Sequence, residues 1–263
     1  MKTTVILLMT LCLTSCASKQ PPYETRVDKT TIDKIHEIID TRTIPAQGSG
    51  TPQLIASISS AFLGTPYRAN TLTGSATMQE VLVADFNGVD CFTLLDYVKA
   101  LLSANNQDDF LKNLVNTRYI NGNVTFLSRR HFFSDWFART PVNAIDVTRE
   151  ISREAIAVNK DLNFKAPDGQ YIPGLGIVKR QIHYIPASAI NEQVLSRLQT
   201  GDFIGVYSKL EGLDVSHVGI AIKKDGEVWF RNASSLASTM QVVDSPFMAY
   251  MQSKPGIIVL RNK

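Results

Sequence analysis

A cysteine in this sequence is placed where the start of a helix can activate its thiol. Asp90 is predicted to cap a helix that begins at Cys91. Unpaired backbone N–H groups and the helix dipole at that end stabilise a thiolate, and the same N–H groups can donate to the oxyanion formed when a thiolate attacks a carbonyl. The Asp90 carboxylate opposes ionisation of the thiol unless capping ties it down. A buried structural cysteine on an amphipathic helix is the alternative to a reactive one.

A histidine further along the chain has the surroundings of a general base. His217 lies in an alternating apolar segment, where it shares a face with Gly219, which leaves open space beside the imidazole. Asp225-Gly226 favours a two-residue hairpin loop, and that loop brings Gly219 opposite Asn232. Asn232 then lies diagonally across from His217, on the same face and within side-chain reach. Cysteine, histidine and asparagine in this order match the nucleophile, base and orienting residue of a papain-like triad. A structural histidine and a strand-end amide are the alternatives.

The elements that must position these residues differ between the two halves of the chain. Helical spacing of apolar residues predicts helices over residues 31–39, from 51 to 64 with Thr51 as the N-cap, and from 90 onward. Alternating or continuous apolar runs predict strands over residues 81–86, 203–207, 215–222, 228–233 and 256–260. Residues 103–200 mix helical and loop patterns. Helices followed by strands indicate the α+β class.

The N-terminus has the composition of an export signal. Lys2 supplies a positive charge, and the apolar run from Val5 to Leu13 is too short to span a bilayer. The run leads into Leu13-Thr14-Ser15-Cys16, which resembles a bacterial lipobox. The resemblance implies that Cys16 becomes the acylated first residue of the mature protein, and Ala17 after it implies the periplasmic face of the outer membrane of a Gram-negative cell. A plain signal peptide cut nearby is the alternative.

The predicted segments of the chain determine which cysteines remain as free thiols in the mature protein. We predict a signal peptide over residues 1–15, a polar tether over 16–30 and one catalytic domain over 31–263, with an insertion at about 104–200. Cys12 leaves with the signal and Cys16 is blocked, so Cys91 is a lone thiol in an oxidising compartment. We therefore expect iodoacetamide to alkylate Cys91 faster than a model thiol at pH 7.

Composition excludes two kinds of partner. No cluster of cysteines and histidines has the spacing of zinc ligands, so no metal or other cofactor is expected. The net charge is +3, with the Lys and Arg residues scattered along the chain rather than gathered in a basic stripe. Nucleic acid is therefore not an expected partner.

Four segments in order along the chain resemble the NlpC-type cysteine peptidases, which hydrolyse amide bonds in bacterial cell-wall peptides. The segments are Leu63-Gly64-Thr65-Pro66-Tyr67-Arg68, Val89-Asp90-Cys91-Phe92-Thr93-Leu94-Leu95, His217-Val218-Gly219-Ile220 and Asn232-Ala233-Ser234-Ser235. The resemblance implies Cys91 as nucleophile, His217 as base and Asn232 as the third member, and it implies that the Tyr67 hydroxyl points at the thiol and helps to polarise the substrate carbonyl. The fourth segment departs from the superfamily pattern at Asn232, because His-Ala-Ser-Ser is commoner there than Asn-Ala-Ser-Ser. Asn232 can still accept the imidazole N–H, so we expect tuning rather than loss of activity.

The segment between the cysteine and the histidine is longer than in compact members of that superfamily. It contains the run from Ser128 to Trp136, which together with Gly212-Leu213-Asp214 resembles a subgroup of N-acetylmuramoyl-L-alanine amidases. Those enzymes release the peptide from muropeptides that end in 1,6-anhydro-N-acetylmuramic acid. Four side chains of the run are predicted to bind the substrate, because hydrogen bonding and stacking suit a sugar with an apolar face: Arg130, His131, Asp135 and Trp136. The alternative places the aromatic residues in the core and the arginines in solvent.

The sequence therefore predicts an α+β domain with a papain-like NlpC-type fold, in which N-terminal helices pack on a C-terminal antiparallel sheet with a helical and loop insertion. The predicted activity is an N-acetylmuramoyl-L-alanine amidase that acts on (1,6-anhydro)muropeptides through a cysteine thioester, with a lipid anchor at Cys16. An endopeptidase that cuts within the stem peptide, a peptidoglycan-binding lipoprotein without activity, and acyl transfer to lipid are the alternatives.

Overall fold

Residues 22–263 are described by a computed structural model. The α-helices are α1 (Lys29–Ile38), α2 (Thr51–Ser60), α3 (Cys91–Leu101), α4 (Gln107–Arg118), α5 (Asp135–Ala138), α6 (Thr148–Ile151), α7 (Glu192–Arg197) and α8 (Phe247–Met251). The strands are β1 (Glu24–Val27), β2 (Val81–Ala84), β3 (Ala144–Asp146), β4 (Ile156–Leu162), β5 (Phe164–Lys165), β6 (Gly169–Gln170), β7 (Val178–Pro186), β8 (Phe203–Tyr207), β9 (Val215–Lys224), β10 (Glu227–Ala233), β11 (Val242–Pro246) and β12 (Gly256–Asn262). No helix among these residues is both long and apolar enough to cross a membrane.

One large sheet organises the molecule. Its eight strands run in the order β11-β10-β9-β8-β12-β7-β4, with β3 paired to β12, and all of these pairs are antiparallel. β1 and β2 form a separate parallel pair, and β5 and β6 form a small hairpin. The mixed α/β architecture with a large antiparallel sheet agrees with the predicted α+β class.

The sheet is covered on both faces because alternate residues of its strands point to opposite sides. On one face, Val218, Ile220 and Ile222 of β9 belong to the core formed with helices α1 to α4. On the other face, Ala221 and Phe230 belong to a second core with α6, α7 and α8. The catalytic candidates on β9 and β10 are thus positioned by a sheet that is packed from both sides.

The predicted hairpin is present with its predicted register. β9 and β10 pair from Lys224–Glu227 to Ile220–Arg231, around a loop formed by Asp225 and Gly226. Both loop residues have positive φ, at 55° and 80°, which is the backbone conformation that a type I′ turn requires. The observed ladder ends at Ile220–Arg231, so the predicted pair of Gly219 with Asn232 is one step beyond it in the same register.

The N-terminal tether differs from its prediction. Residues 24–27, inside the predicted tether of 16–30, form β1, and Asp28 caps α1 by accepting from the Thr31 N–H at 2.7 Å. β1 forms because it pairs with β2, a buried strand distant in the sequence. The predicted signal peptide and Cys16 lie outside the described residues.

Two further predictions are corrected by the structure. The insertion is not only helices and loops, because β3, β4 and β7 all join the main sheet. The N-cap of α2 is Gly50 rather than Thr51, which is already helical, and the helix ends at Ser60. These differences leave the elements that carry the candidate triad unchanged.

Candidate active site

Cys91 is the first residue of α3, and its position is fixed by a complete helix cap. The Asp90 carboxylate accepts from the N–H groups of Phe92 and Thr93 at 3.0 and 2.7 Å. The Thr93 hydroxyl in turn accepts from the Asp90 N–H at 2.9 Å, which completes a capping box. The predicted N-cap is therefore confirmed. Among the described residues the Cys91 N–H has no backbone acceptor, so it can donate to a substrate oxygen.

The thiol is less acidic than the helix start alone predicts. Burial, followed by the nearby Asp90 carboxylate, raises the pKa of Cys91 to about 12, although hydrogen bonds from the N–H groups of Val218, Cys91 and Phe92 oppose the rise. This balance argues against the predicted fast alkylation of Cys91 at pH 7, because desolvation outweighs the hydrogen bonds at the helix start. The Val218 N–H contact also shows that the sulfur lies against β9, one residue from His217.

His217 and Asn232 form the contact that the hairpin register predicts. The Nε2 atom of His217 lies 3.0 Å from the Oδ1 atom of Asn232. The Asn232 amide is fully buried, and its Nδ2 donates to the Phe230 carbonyl at 3.0 Å and to the Ser245 hydroxyl at 3.3 Å. Because both amide hydrogens are used in this way, Oδ1 faces the imidazole and accepts the Nε2 proton. His217 Nδ1 is then the free nitrogen that can accept a proton from a thiol.

The electrostatic surroundings keep His217 neutral at rest. Burial lowers the pKa of His217, and the positive charge of Lys254 lowers it further. The hydrogen bond to Asn232 and the charge of Asp90 act in the opposite direction. A neutral imidazole and a neutral thiol form a pair that can exchange one proton once a substrate brings them together.

Tyr67 lies on a segment that is paired with the residues just before Cys91. Its backbone forms a parallel bridge with Val89, two residues before Cys91, and its N–H donates to the Met240 carbonyl at 2.9 Å. Burial and then the charges of Cys91 and Asp90 raise the pKa of Tyr67. A hydroxyl that stays protonated beside the sulfur can donate to a substrate carbonyl.

The side chains predicted to hold a sugar do not form an exposed cluster. Arg130 is 4% exposed, and its guanidinium donates to main-chain carbonyls of Thr117, Asp135, Arg139 and Pro141. The Asp135 carboxylate is buried and accepts from Arg180 Nη1 at 2.7 Å. These contacts correct the prediction for Arg130 and Asp135, since both side chains use their polar groups to hold the insertion together.

The remaining two residues of that cluster are also turned toward the protein. Trp136 is fully buried, with its ring packed edge to face on Phe92 and Phe203. His131 is partly buried, with Nε2 2.8 Å from the Phe126 carbonyl. Trp136 is therefore a core residue that supports the helix carrying Cys91, which corrects its predicted contact with a sugar. The alternative prediction placed the aromatic residues in the core and the arginines in solvent. It holds for Trp136 but not for Arg130, which is buried.

Two residues near the site escaped the sequence analysis. The Tyr250 ring stacks on His217, with the centroids 6.2 Å apart and the planes at 28°. The Lys254 ammonium lies 5.0 Å from the centre of the Tyr250 ring. Burial and then the charge of Cys91 raise the pKa of Tyr250. Neither residue belongs to a motif, and the spacing of Tyr250 and Lys254 by four residues is the single signal that could have joined them.

The comparisons with known proteins find amidases and a protein of a related family. A crystal structure of an N-acetylmuramoyl-L-alanine amidase from Bacteroides uniformis is 27% identical, covering 80% of this chain and 97% of that chain with a TM-score of 0.66. A second crystal structure with the same description is 28% identical at a TM-score of 0.67, over 80% and 97% of the two chains. A Legionella pneumophila protein of the family DUF1460 is 22% identical and shares the fold, at a TM-score of 0.71 over 89% of this chain and 93% of that one. No curated protein matches the chain.

These findings define an amidase-like cell-wall hydrolase. Residues 57–257 match the family model AmiA-like, described as N-acetylmuramoyl-L-alanine amidase-like. Because that match covers well over half of the 263 residues, the chain belongs to this family.

Proposed function

We propose that this protein hydrolyses the amide bond between the lactyl group of N-acetylmuramic acid and L-alanine in muropeptides, through a thioester on Cys91 and within a papain-like NlpC-type fold. The observation that carries the proposal is the 3.0 Å contact between His217 Nε2 and Asn232 Oδ1. That contact leaves Nδ1 free on the residue next to Val218, whose N–H touches the sulfur. A candidate nucleophile, base and orienting group on neighbouring elements support this assignment.

The proposed reaction begins from a neutral thiol and a neutral imidazole. His217 Nδ1 takes the thiol proton as Cys91 attacks the lactyl carbonyl, and the Cys91 N–H and the Tyr67 hydroxyl donate to the oxygen that becomes negative. The resulting imidazolium gives its proton to the amine of L-alanine, which leaves with the peptide. A water molecule, deprotonated by His217, then hydrolyses the thioester and restores the thiol.

Support for the substrate class comes from the family and from the amidases with the same fold. The preference for the 1,6-anhydro sugar rests on the resemblance of residues 128–136 and 212–214 to the amidase subgroup. Since Arg130, Asp135 and Trp136 are buried, recognition of the sugar is assigned to no residue of this run.

Mass spectrometry of the products tests the proposal. Incubation with purified anhydro-muropeptides should release intact peptide that begins with L-alanine, and polymeric sacculi should remain largely untouched. Cys91→Ala is the matched control and should release nothing. Products in which L-alanine stays attached to the sugar would identify a stem-peptide endopeptidase, transfer of an acyl group to added lipid would identify an acyltransferase, and unchanged substrate would favour a binding protein.

We also propose that Cys16 carries a lipid that holds the protein at the periplasmic face of the outer membrane of a Gram-negative cell. The proposal is supported by the lipobox-like residues 13–16 and by Ala17. Metabolic labelling with an alkyne fatty acid should mark the parent protein but not Cys16→Ser. Equal labelling of the parent protein and Cys16→Ser would contradict the proposal.

A further inference from the structure

A layered arrangement of three side chains extends from the proposed base toward the surface. The rings of His217 and Tyr250 are stacked at 6.2 Å, and the Lys254 ammonium lies over the Tyr250 ring at 5.0 Å. Tyr250 is fixed from the side by Phe230, at 4.9 Å between ring centres. Tyr250 and Lys254 are half-buried, so the end of the arrangement remains open to a ligand.

The ammonium of this arrangement lacks a counterion in the described part of the chain. No carboxylate of residues 22–263 lies within ion-pair distance of Lys254, and its contact is with the aromatic ring. Asp90, the acidic residue whose charge reaches His217, is occupied in capping α3. A half-buried ammonium without a counterion is free to form a charge-assisted hydrogen bond with a bound anion.

The position of the cation also works against the proposed chemistry unless an anion is bound. During the reaction His217 must carry a positive charge, and the Lys254 charge disfavours that state. A negative group on the substrate that pairs with Lys254 would neutralise this repulsion at the moment when the imidazole is protonated. The arrangement can therefore link recognition of a charge to turnover.

We propose that Lys254 and Tyr250 form a subsite for a carboxylate on the peptide part of the substrate. This inference rests on the proposed function, in which His217 protonates the amine of L-alanine, so that the leaving peptide lies on the His217 side of the scissile bond. In a stem peptide the next residue is a γ-linked D-glutamate, whose free α-carboxylate lies five bonds from that amine. Five bonds reach on the order of 6 Å, and a hydrogen bond at each end adds about 3 Å. That reach is enough to cross the two steps of the arrangement, which are 6.2 Å from His217 to Tyr250 and 5.0 Å from Tyr250 to Lys254.

A pair of substrates that differ in one charge tests the subsite. Anhydromuramyl-L-Ala-γ-D-Glu carries the carboxylate, and the D-isoglutamine counterpart carries a carboxamide at the same position. The parent enzyme should prefer the carboxylate substrate by about tenfold or more in kcat/KM, because a charge-assisted hydrogen bond is lost in the amide. Lys254→Met should lose the preference, because the carboxylate substrate is slowed while the carboxamide substrate, which no longer meets an unpaired cation beside His217, is not slowed. Lys254→Arg should keep the preference.

The control is Lys224→Met, which removes an exposed lysine at the other end of β9 and should leave the preference unchanged. Equal losses on both substrates in Lys254→Met, or an unchanged preference, would overturn the subsite.

The failure of the subsite can be separated from the failure of the proposed function. If the parent enzyme cuts neither substrate, binding of the two compounds to Cys91→Ala is measured by calorimetry. The subsite would be supported even then if Cys91→Ala binds the carboxylate compound more tightly and the double variant with Lys254→Met does not. Equal binding of both compounds would overturn it.

Discussion

At the scale of single residues, the orientation of one buried amide decides which nitrogen of His217 acts as the base. Asn232 donates both amide hydrogens, to Phe230 and Ser245, and so presents its oxygen to the imidazole. An orienting group holds the tautomer while the nucleophile makes the covalent bond. Loss of Asn232 should therefore cost less activity than loss of Cys91.

We predict that Asn232→Ala lowers kcat by about one to three decades, which is a few kcal/mol on the barrier. Asn232→His should keep substantial activity, because a neutral imidazole can also accept the Nε2 proton of His217. Steady-state kinetics on a muropeptide measure both variants, with circular dichroism to show that each is folded. Parent-like turnover of Asn232→Ala would place the third member of the triad elsewhere.

The raised pKa of Cys91 makes alkylation a second test at this scale. Since the pKa is raised to about 12, the thiol is protonated at pH 7 and the thiolate fraction grows as the pH increases. Iodoacetamide should thus label Cys91 more slowly than a model thiol at pH 7, with a rate that still climbs above pH 9. Mass spectrometry of the labelled protein gives the rate, and Cys91→Ala is the blank. A fast rate that is flat from pH 6 to 9 would instead indicate a standing thiolate–imidazolium pair.

The sequence predicts the residues of the site that belong to motifs and misses those that tertiary packing brings in. Cys91, His217 and Asn232 could be placed because a helix start and a hairpin loop fix their positions locally. The reactivity of Cys91 could not, since desolvation by β9 depends on packing that no local pattern encodes. Tyr250 reaches His217 from α8, a helix of five residues that has too few turns to show periodicity.

At the scale of elements, the β9–β10 hairpin holds His217 and Asn232 together through a close approach at Gly219. A Cβ atom there would lie 2.5 Å from the Arg231 carbonyl oxygen and 2.5 Å from the Phe230 ring. We predict that Gly219→Ala separates the two strands, lowers kcat by tenfold or more, and reduces the free energy of unfolding by about 1–3 kcal/mol. Kinetics and urea unfolding measure the two effects.

Gly226, in the loop of the same hairpin, provides the matched control. It has φ of +80°, and a Cβ atom there would meet nothing within 4 Å. Gly226→Ala should cost about 1 kcal/mol of stability through backbone strain but leave kcat unchanged. If Gly219→Ala proves no worse than Gly226→Ala, close strand approach is not what positions the pair.

Strands that consist of apolar residues could be predicted from the sequence. Strands with many exposed residues, which depend on pairing with a neighbouring strand, could not. β8 was predicted over Phe203–Tyr207, the observed bounds, because all five residues are buried. The first four residues of β7 are exposed or only partly buried, so the start of this strand has no apolar run that would predict it. β1 is mostly exposed and is stabilised by β2, which follows it only after two helices.

At the scale of the whole molecule, a buried ion pair joins the helix that carries the thiol to the next helix. Arg118 Nε donates to Asp96 at 2.8 Å, both side chains are less than 5% exposed, and Arg118 Nη1 donates to the Val83 carbonyl at 2.6 Å. Removing one partner leaves a buried charge without compensation, whereas removing both does not.

We predict that Arg118→Met lowers the free energy of unfolding by about 3–5 kcal/mol, and that adding Asp96→Leu restores a large part of it. Urea denaturation measures all three proteins. Arg26→Met is the control, because its ion pair with Glu24 is exposed and should contribute at most about 1 kcal/mol. A loss below 1 kcal/mol in Arg118→Met, or a double variant weaker than the single one, would contradict this account.

The insertion is bound to the catalytic sheet rather than appended to it. The Asp214 carboxylate, next to the start of β9, accepts from the Ser134 N–H at 2.7 Å, and the Ser134 hydroxyl accepts from Arg180 of β7 at 2.9 Å. Gly212 approaches the backbone so closely that a Cβ atom would lie 1.8 Å from the Phe164 carbonyl oxygen. The insertion and the strand of His217 therefore form one packed unit.

The place of β12 in the sheet has a consequence for the order of events during synthesis. β12 is the final strand in chain order, yet it lies between β8 and β7 and also carries β3. Until residues 256–262 have left the ribosome, β11-β10-β9-β8 and β7-β4 remain two separate ribbons, each with an open edge that can pair with the wrong strand. The hairpin that holds the proposed base can form early, but its sheet is closed last, by seven residues that contribute no side chain to the chemistry.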